Sequence, residues 1–539
     1  MKKRNIILSL IIIVLFSLTS CKNNEKQDTE AMEVSEVAAD EIFRPNFHFT
    51  PQENWMNDPN GMFYLNGTYH LFFQYYPEGN VWGPMHWGHA TSKDMVNWEE
   101  LPIALKPDEL GYIFSGSAVV DVDNTSGFGD GTTPPVVAIF TYHNPKGEAE
   151  GRIDYQSQAI AYSLDEGKTW TKYKANPVIA NPEIKNFRDP KVIWDEQNKQ
   201  WLMALATVDR TLFYGSSNLK NWKLLSDFGE GTGAHDGVWE CPDFFPMKVE
   251  NSEEIKWVLI QSLNPGGFNG GSGTQYFVGD FNGKEFKVDP SMEKLPEKHD
   301  HWIDYGKDNY AGVTWSNIPD SDGRKLFMGW MSNWLYAQEV PTENWRSSMT
   351  VARELSLKKV GDTYRIFSMP VEELDTYKKA LFQKDQLVVK SSAEIASETE
   401  KDLTRAEIKF EIPNLKQMNY EFSLSNVEGE IFKFGYNHSK KQFYINREES
   451  GITDFNDEFA GTISHGPRTS SSDTLSVLMI LDRTSIELFY DKGETLMTEI
   501  FFPKKPYTSF SVKAEGDFEL KNIEINQFDF ENKNADGKN

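Results

Sequence analysis

Three acidic residues stand in contexts richer than ordinary surface acids: Asp58 in Trp55-Met-Asn-Asp-Pro-Asn-Gly61, Asp189 in Phe187-Arg-Asp-Pro190, and Glu240 in Trp239-Glu-Cys-Pro-Asp243. Each has a proline and an aromatic ring within three residues. Any one alone reads as a turn, since Asp-Pro and Asn-Gly are turn dipeptides. Three carboxylates brought together repel one another, so a functional reason is needed to keep them there. Such a group supplies the pair that glycoside hydrolysis requires, one ionised nucleophile and one acid kept protonated by its neighbours.

Residues so far apart in the chain need a scaffold that returns to one axis. Ser92 to Trp98, Ser163 to Trp170 and Ser216 to Trp222 share a serine, a polar turn and a closing tryptophan. Asp189 and Glu240 follow the second and third of these tryptophans at nearly the same distance. Repeats of about 40 to 50 residues with four strands each are propeller blades, so corresponding positions on different blades converge. From 43 to 367 the texture is short strands broken by Gly, Asn, Asp and Pro, with no sustained helical period. Asn66-Gly67 between Met62 to Leu65 and Thr68 to Tyr75 signals a type I′ hairpin, and Asn282-Gly283 repeats the signal.

The expectation is an all-β chain: a five-bladed β-propeller over 43–367, then a C-terminal β-sandwich over 386–532. A linker with a short helix fills 368–385, and 533–539 is a polar tail. The second domain has strands such as Ala406 to Ile412, Leu475 to Leu481 and Ser485 to Tyr490, but no obvious acid cluster. It is expected to support the first or to serve accessory binding.

The 539 residues carry a formal charge of −26, which repels nucleic-acid phosphates and suits a neutral substrate. Lys2-Lys3-Arg4, the apolar run Ile6 to Phe16 and Leu18-Thr-Ser-Cys21 fit a secretory signal over 1–20. Leu-x-Ser-Cys resembles a bacterial lipoprotein box, with Cys21 lipidated and 21–42 as a polar tether. That places the protein outside the cytoplasm, anchored to a bacterial membrane on the periplasmic side or at the cell surface. The second cysteine, Cys241, reads as a small buried packing residue. The stretch Gly266 to Gly273 lacks the Lys-Ser/Thr of a phosphate loop, and His86, His89, His143 and His235 lack ligand spacing. No metal and no cofactor are expected.

Trp55 to Gly61, Phe114-Ser-Gly-Ser117, Phe187 to Pro190 and Glu240 to Asp243, in this order, resemble the motifs of glycoside hydrolase family 32. This is the β-fructosidase family of invertases, inulinases and levanases, which pairs a five-bladed propeller with a β-sandwich. Asn264 to Phe277, Gly329 to Tyr336 and Val340 to Arg346 resemble its exo-acting inulinase and levanase branch most. The resemblance implies a retaining hydrolase with Asp58 as nucleophile, Glu240 as general acid/base and Asp189 as transition-state stabiliser. It also implies that Trp55, Asn57, Gln74, Trp82, Phe114, Ser115 and Arg188 bind the terminal fructosyl unit of a fructan or of sucrose. Trp315 is expected to line the same pocket. The competing readings are an endo-levanase or endo-inulinase, a non-catalytic fructan-binding lipoprotein, and an inverting arabinanase-type hydrolase.

Overall fold

The computed structural model describes residues 41–396 and 403–530. The expected signal, Cys21 and the tail 533–539 lie outside the described residues.

The chain is built of strands, and the first hairpin shows how the sequence dictates them. Asn54–Leu65 and Thr68–Tyr76 are rich in aromatic and apolar residues that are buried on both faces. Between them Asn66 and Gly67 both take left-handed φ, 48° and 77°, and Leu65 pairs directly with Thr68. This is the two-residue turn whose twist matches the strands it joins. The Asn282-Gly283 site differs from expectation. Phe281 pairs with Phe286, so the loop has four residues, and Gly283 alone of the two is left-handed.

Five sheets of four or five strands follow one another up to Pro370. Their leading strands are Asn54–Leu65, Tyr112–Val120, Arg188–Asp195, Val238–Lys248 and Tyr310–Thr314. Each leading strand packs against the next, and the fifth packs against the first. Trp345–Arg346 returns to pair in parallel with Asn54 and Trp55 on the edge of the first sheet. This arrangement is consistent with a β-propeller. The Ser-to-Trp repeats occupy the turn between the third and fourth strands in the first three sheets. There the indole N–H groups of Trp98, Trp170 and Trp222 donate to the carbonyls of Met95, Gly167 and Leu219, at 3.1, 3.0 and 3.0 Å. All three acceptor residues are left-handed, which is what turns the carbonyl toward the ring.

The connection to the second part is shorter than the expected 368–385. The last strand of the fifth sheet runs to Pro370, a short 3₁₀ helix spans Glu372–Tyr377, and Lys378–Val389 is already a strand paired with Phe518–Phe528. Lys378–Val389 lies on the edge of its sheet and is polar along much of its length, so its sequence lacks the alternation that marks a strand. Two six-stranded sheets complete the molecule, with Ile408, Phe410, Met479 and Leu488 of one facing Phe422, Phe434 and Phe510 of the other in a common core.

The second part does carry acids that matter. Asp482, Glu487 and Glu499 are fully buried where it meets the five sheets. His48 sits between Asp482, at 2.8 Å from Nδ1, and Glu487, at 2.9 Å from Nε2. Arg353 donates to Glu487 at 2.9 Å and to Asp304 at 3.1 Å. Arg447 reaches Asp308 at 2.6 Å and Glu499 at 2.7 Å. The acids lie close together in sequence, but their cations His48 and Arg353 come from the other part and Arg447 from another strand, so nothing local announces the pairs. Removing one partner of such a buried pair costs about 3–5 kcal/mol, because the other charge is left uncompensated.

Candidate active site

Each leading strand breaks register with its neighbour, the first of them twice. The breaks fall between Met56 and Pro59 and again between Asn60 and Phe63, then between Ile113 and Gly116, Arg188 and Lys191, Glu240 and Asp243, and Tyr310 and Val313. A bulge re-aims the side chain it carries, and bulges collect beside active sites. Here they present Asp58, Phe114 with Ser115, Asp189, Glu240 and Tyr310. Asp189 and Cys241 are left-handed at φ 62° and 46°, a conformation costly for residues with side chains and retained where function requires it. Gly61 lies in the second break of the first strand at φ 58°, and a Cβ there would lie 2.7 Å from the Trp87 ring.

A pocket of about 240 Å³ opens on these residues, lined by Asn57, Asp58, Gln74, Trp82, Phe114 and Ser115, with Arg188, Asp189 and Glu240 on its other side. The three acids therefore meet. Asp58 accepts from Ser115 Oγ at 2.7 Å and from Asn57 Nδ2 at 2.9 Å. Glu240 accepts from the Arg188 guanidinium on one oxygen and from the Tyr310 hydroxyl on the other. Asp189 accepts from the Cys241 backbone N–H at 3.1 Å, and its own N–H donates to Thr141 Oγ1 at 3.0 Å.

Burial, reinforced by Glu240 and Asp58, pushes the Asp189 carboxyl up to about 7 against the opposing pull of Arg188. Burial works against the Arg188 charge, but Glu240 and Asp189 outweigh it and hold the guanidinium above its ordinary range. Burial, with Glu240 second, holds the Tyr310 hydroxyl well above its usual pKa, so it stays a donor. Among the lining residues the Arg188 guanidinium faces Asp58, Asp189 and Glu240, with Glu148 as a fourth acid, and burial keeps a proton on Asp189 up to about pH 7. Gln74, 2% exposed, has no partner for its Nε2, a donor left for a ligand on the pocket wall.

Two sequence-predicted residues stand elsewhere. Trp315 is in the core, stacked on Trp98 at 6.3 Å, with its indole N–H donating to the His70 carbonyl at 3.0 Å. Trp55 is fully buried behind the wall; its indole N–H donates to Asn57 Oδ1 at 2.8 Å and so positions that amide. Cys241 proves to be more than packing, because its Sγ lies 3.4 Å from Asp58 and 3.7 Å from Asp189.

The sequence reading missed Tyr310, His143, Glu148, Asn264 and Trp334. The last four line the pocket. His143 stacks on Phe114 at 4.2 Å and meets Glu148 at 3.1 Å, while burial lowers its pKa to about 4. Glu148 arrives on the short helix Pro145–Ala149, which Asn144 caps by accepting from Gly147 N–H. The second Trp of Gly329 to Tyr336, a stretch that already resembled the exo-acting branch, was the available signal for Trp334.

The family model for the glycosyl hydrolases family 32 N-terminal domain matches residues 48–370, and that for the family 32 C-terminal domain matches 371–527. The chain is 43% identical over 528 residues to a levanase of Bacillus subtilis, covering 97% of this chain and 75% of that one. It is 40% identical over 491 residues to an extracellular exo-inulinase of Aspergillus niger, covering 86% and 90%. The crystal structure of exo-inulinase from Aspergillus awamori superposes with a TM-score of 0.82 at 36% identity, covering 90% of this chain and 98% of that one. With both family models matched in order and Asp58, Asp189 and Glu240 converging on one pocket, the chain belongs to glycosyl hydrolase family 32 and is a glycoside hydrolase.

Proposed function

We propose that the protein is a retaining, exo-acting β-fructosidase that removes terminal fructosyl units from levan or inulin, and from sucrose, releasing fructose. The observation that carries this reading is the meeting of Asp58, Asp189 and Glu240 in a pocket sized for a single sugar unit. Asp58, held by Ser115 and Asn57, attacks the anomeric carbon while Glu240 protonates the leaving oxygen. Water deprotonated by Glu240 then frees fructose from the covalent intermediate. Asp189 stabilises the positive charge that develops between these steps and holds sugar hydroxyls. Arg188, Gln74 and Asn57 supply hydroxyl partners, with Trp82, Phe114 and Trp334 as apolar walls.

The five sheets are read as five blades over 43–370, with the sandwich beginning at 378. Arg447 of the sandwich holds Asp308, two residues before Tyr310, so the second domain supports the acid/base from behind. The Leu-x-Ser-Cys sequence supports lipidation at Cys21 of an exported, membrane-anchored enzyme. The names of its relatives, levanase and extracellular exo-inulinase, agree with export and with a fructan substrate.

A time course of products from levan and from inulin tests the reading. Fructose alone from the first minutes is expected. A ladder of oligosaccharides would replace it with an endo-enzyme, and no product from either polymer or from sucrose would leave a binding protein.

A further inference from the structure

The candidate active-site pocket is not the largest concavity among the described residues. A second one, of about 750 Å³ against about 240 Å³, lies beside it. The two share a wall, the loop between the strands Ile255–Asn264 and Gly273–Phe281. Asn264 at the start of this loop lines the catalytic pocket, whereas Pro265 to Phe268, Gly270 and Gly271 line the second cavity. The far end of the loop leans on the catalytic side as well. Asn333 Oδ1 accepts from Ser272 N–H at 3.3 Å, and Trp334, the next residue and a pocket wall, donates its N–H to Ser272 Oγ at 3.2 Å.

Glycine makes this wall thin. A Cβ at Gly267 would lie 2.5 Å from the Ser272 carbonyl oxygen, and one at Gly271 would lie 2.0 Å from Asn333 Oδ1. Across the loop, Asn269 exchanges hydrogen bonds with His465 of the sandwich, donating at 2.7 Å and accepting at 2.9 Å. The wall is therefore tied at both ends and in its middle, and the cavity is a built feature rather than a gap under a slack loop.

Its lining has the chemistry of a carbohydrate site. Phe268 and the rings of Pro265, Pro296 and Pro467, with Leu295 beside them and the 4%-exposed Trp302 behind, give apolar surface for sugar C–H faces. Asp236, Lys298 and the second oxygen of Glu297 give hydroxyl partners, and Asp300, held by Arg365 and His301, adds to an acidic balance that disfavours anions and accepts neutral polyhydroxy chains. The cavity has about three times the volume of a pocket read as holding one unit, so several units fit.

We propose that this cavity is a second binding site for the fructan chain, holding units of the polymer beyond the one being cleaved. It raises the affinity of polymeric substrate without taking part in bond breaking. This rests on the β-fructosidase reading and adds to it a basis for preferring polymer over disaccharide. Tethering a chain at a neighbouring site raises its effective concentration at the catalytic pocket, so the effect belongs in KM for polymer.

The test compares kcat/KM for levan and inulin with that for sucrose, which is too short to occupy both sites, in two variants. Phe268→Ala removes apolar wall, and Pro296→Trp, at an exposed position, fills the cavity. The expected result is a fall of roughly tenfold in the polymer-to-sucrose ratio, carried by KM, in each variant that hydrolyses sucrose. An unchanged ratio, or polymer and sucrose activity falling in parallel, overturns the second site. If Phe268→Ala does not fold, Pro296→Trp decides. Failure of the β-fructosidase reading shows separately, as wild-type protein that cleaves none of the three.

Discussion

The Cys241 sulfur lies 3.4 Å from Asp58 Oδ2, while the backbone N–H of the same residue donates to Asp189 Oδ2 at 3.1 Å. One residue thus braces both the proposed nucleophile and the proposed stabiliser. Burial, followed by the charges of Asp58, Asp189 and Glu240, holds the thiol well above its ordinary pKa, so it remains an S–H donor and is no nucleophile. Losing one weak donor to a charged acceptor removes about 1 kcal/mol. Cys241→Ala is expected to lower kcat by roughly fivefold to tenfold, and Cys241→Ser, which keeps a donor, to retain most of the activity. Steady-state kinetics of the two variants checks this; an alanine variant as active as wild type would mean that the sulfur only fills space.

The acid cluster sets the pH dependence. With Asp189 pushed up to about 7, the free enzyme keeps a proton within the cluster below that pH and loses it above. Retaining hydrolysis needs one such proton for the leaving oxygen. The alkaline limb of kcat/KM on sucrose is therefore expected to fall with an apparent pKa near 7, while the protein stays folded by circular dichroism. A plateau extending past pH 9 would contradict it.

Gln74 presents a buried donor without a partner, a group whose desolvation costs about 1–3 kcal/mol in the free protein. Gln74→Met, close in volume, removes that cost together with a hydroxyl partner. The variant should melt higher than wild type while kcat/KM drops by tenfold or more. Thermal melts and sucrose kinetics read both quantities; a variant that loses stability as well would place Gln74 in a structural network instead.

His48 governs a different pH window. Burial opposes its charge, but Asp482 and Glu487 outweigh burial and raise its pKa from 6.5 to about 9. A raised folded pKa means the contribution is complete below about 6.5 and is lost as pH climbs through about 9. Asp482 and Glu487 are shifted down, burial being outweighed by His48 and Arg353, so their contribution is complete above their ordinary values and is lost on acidification. Melting temperature should peak between about pH 4.5 and 6.5 and decline toward pH 9. His48→Gln should lower the peak and flatten the alkaline decline. An alkaline slope identical to wild type would show that other groups carry it.

What was legible in the sequence follows from how local each signal is. The Ser-to-Trp turns could be read because ring and acceptor carbonyl lie three residues apart. The fourth sheet closes instead on the loop after Phe281 and the fifth on Gly361, so the repeat faded there. The three acids were legible because each stands in a dense motif. Trp315 was misplaced because a wall tryptophan and a core tryptophan have the same composition around them. Its bond to the His70 carbonyl spans 245 residues. Tyr310 was missed for the same reason, since only the bulge after it swings its hydroxyl onto Glu240. The buried ion pairs of the sandwich were invisible because their partners come from distant strands.

The central claim is that Asp58 forms a covalent fructosyl intermediate which a second nucleophile then displaces. Hydrolysis of sucrose in the presence of methanol, followed by NMR of the first-formed glycoside, tests it most directly. Two displacements predict methyl β-D-fructofuranoside, with the configuration of the substrate retained. The α-anomer, or a complete absence of methyl glycoside with the anomeric signal of free fructose inverted, would contradict a nucleophilic Asp58.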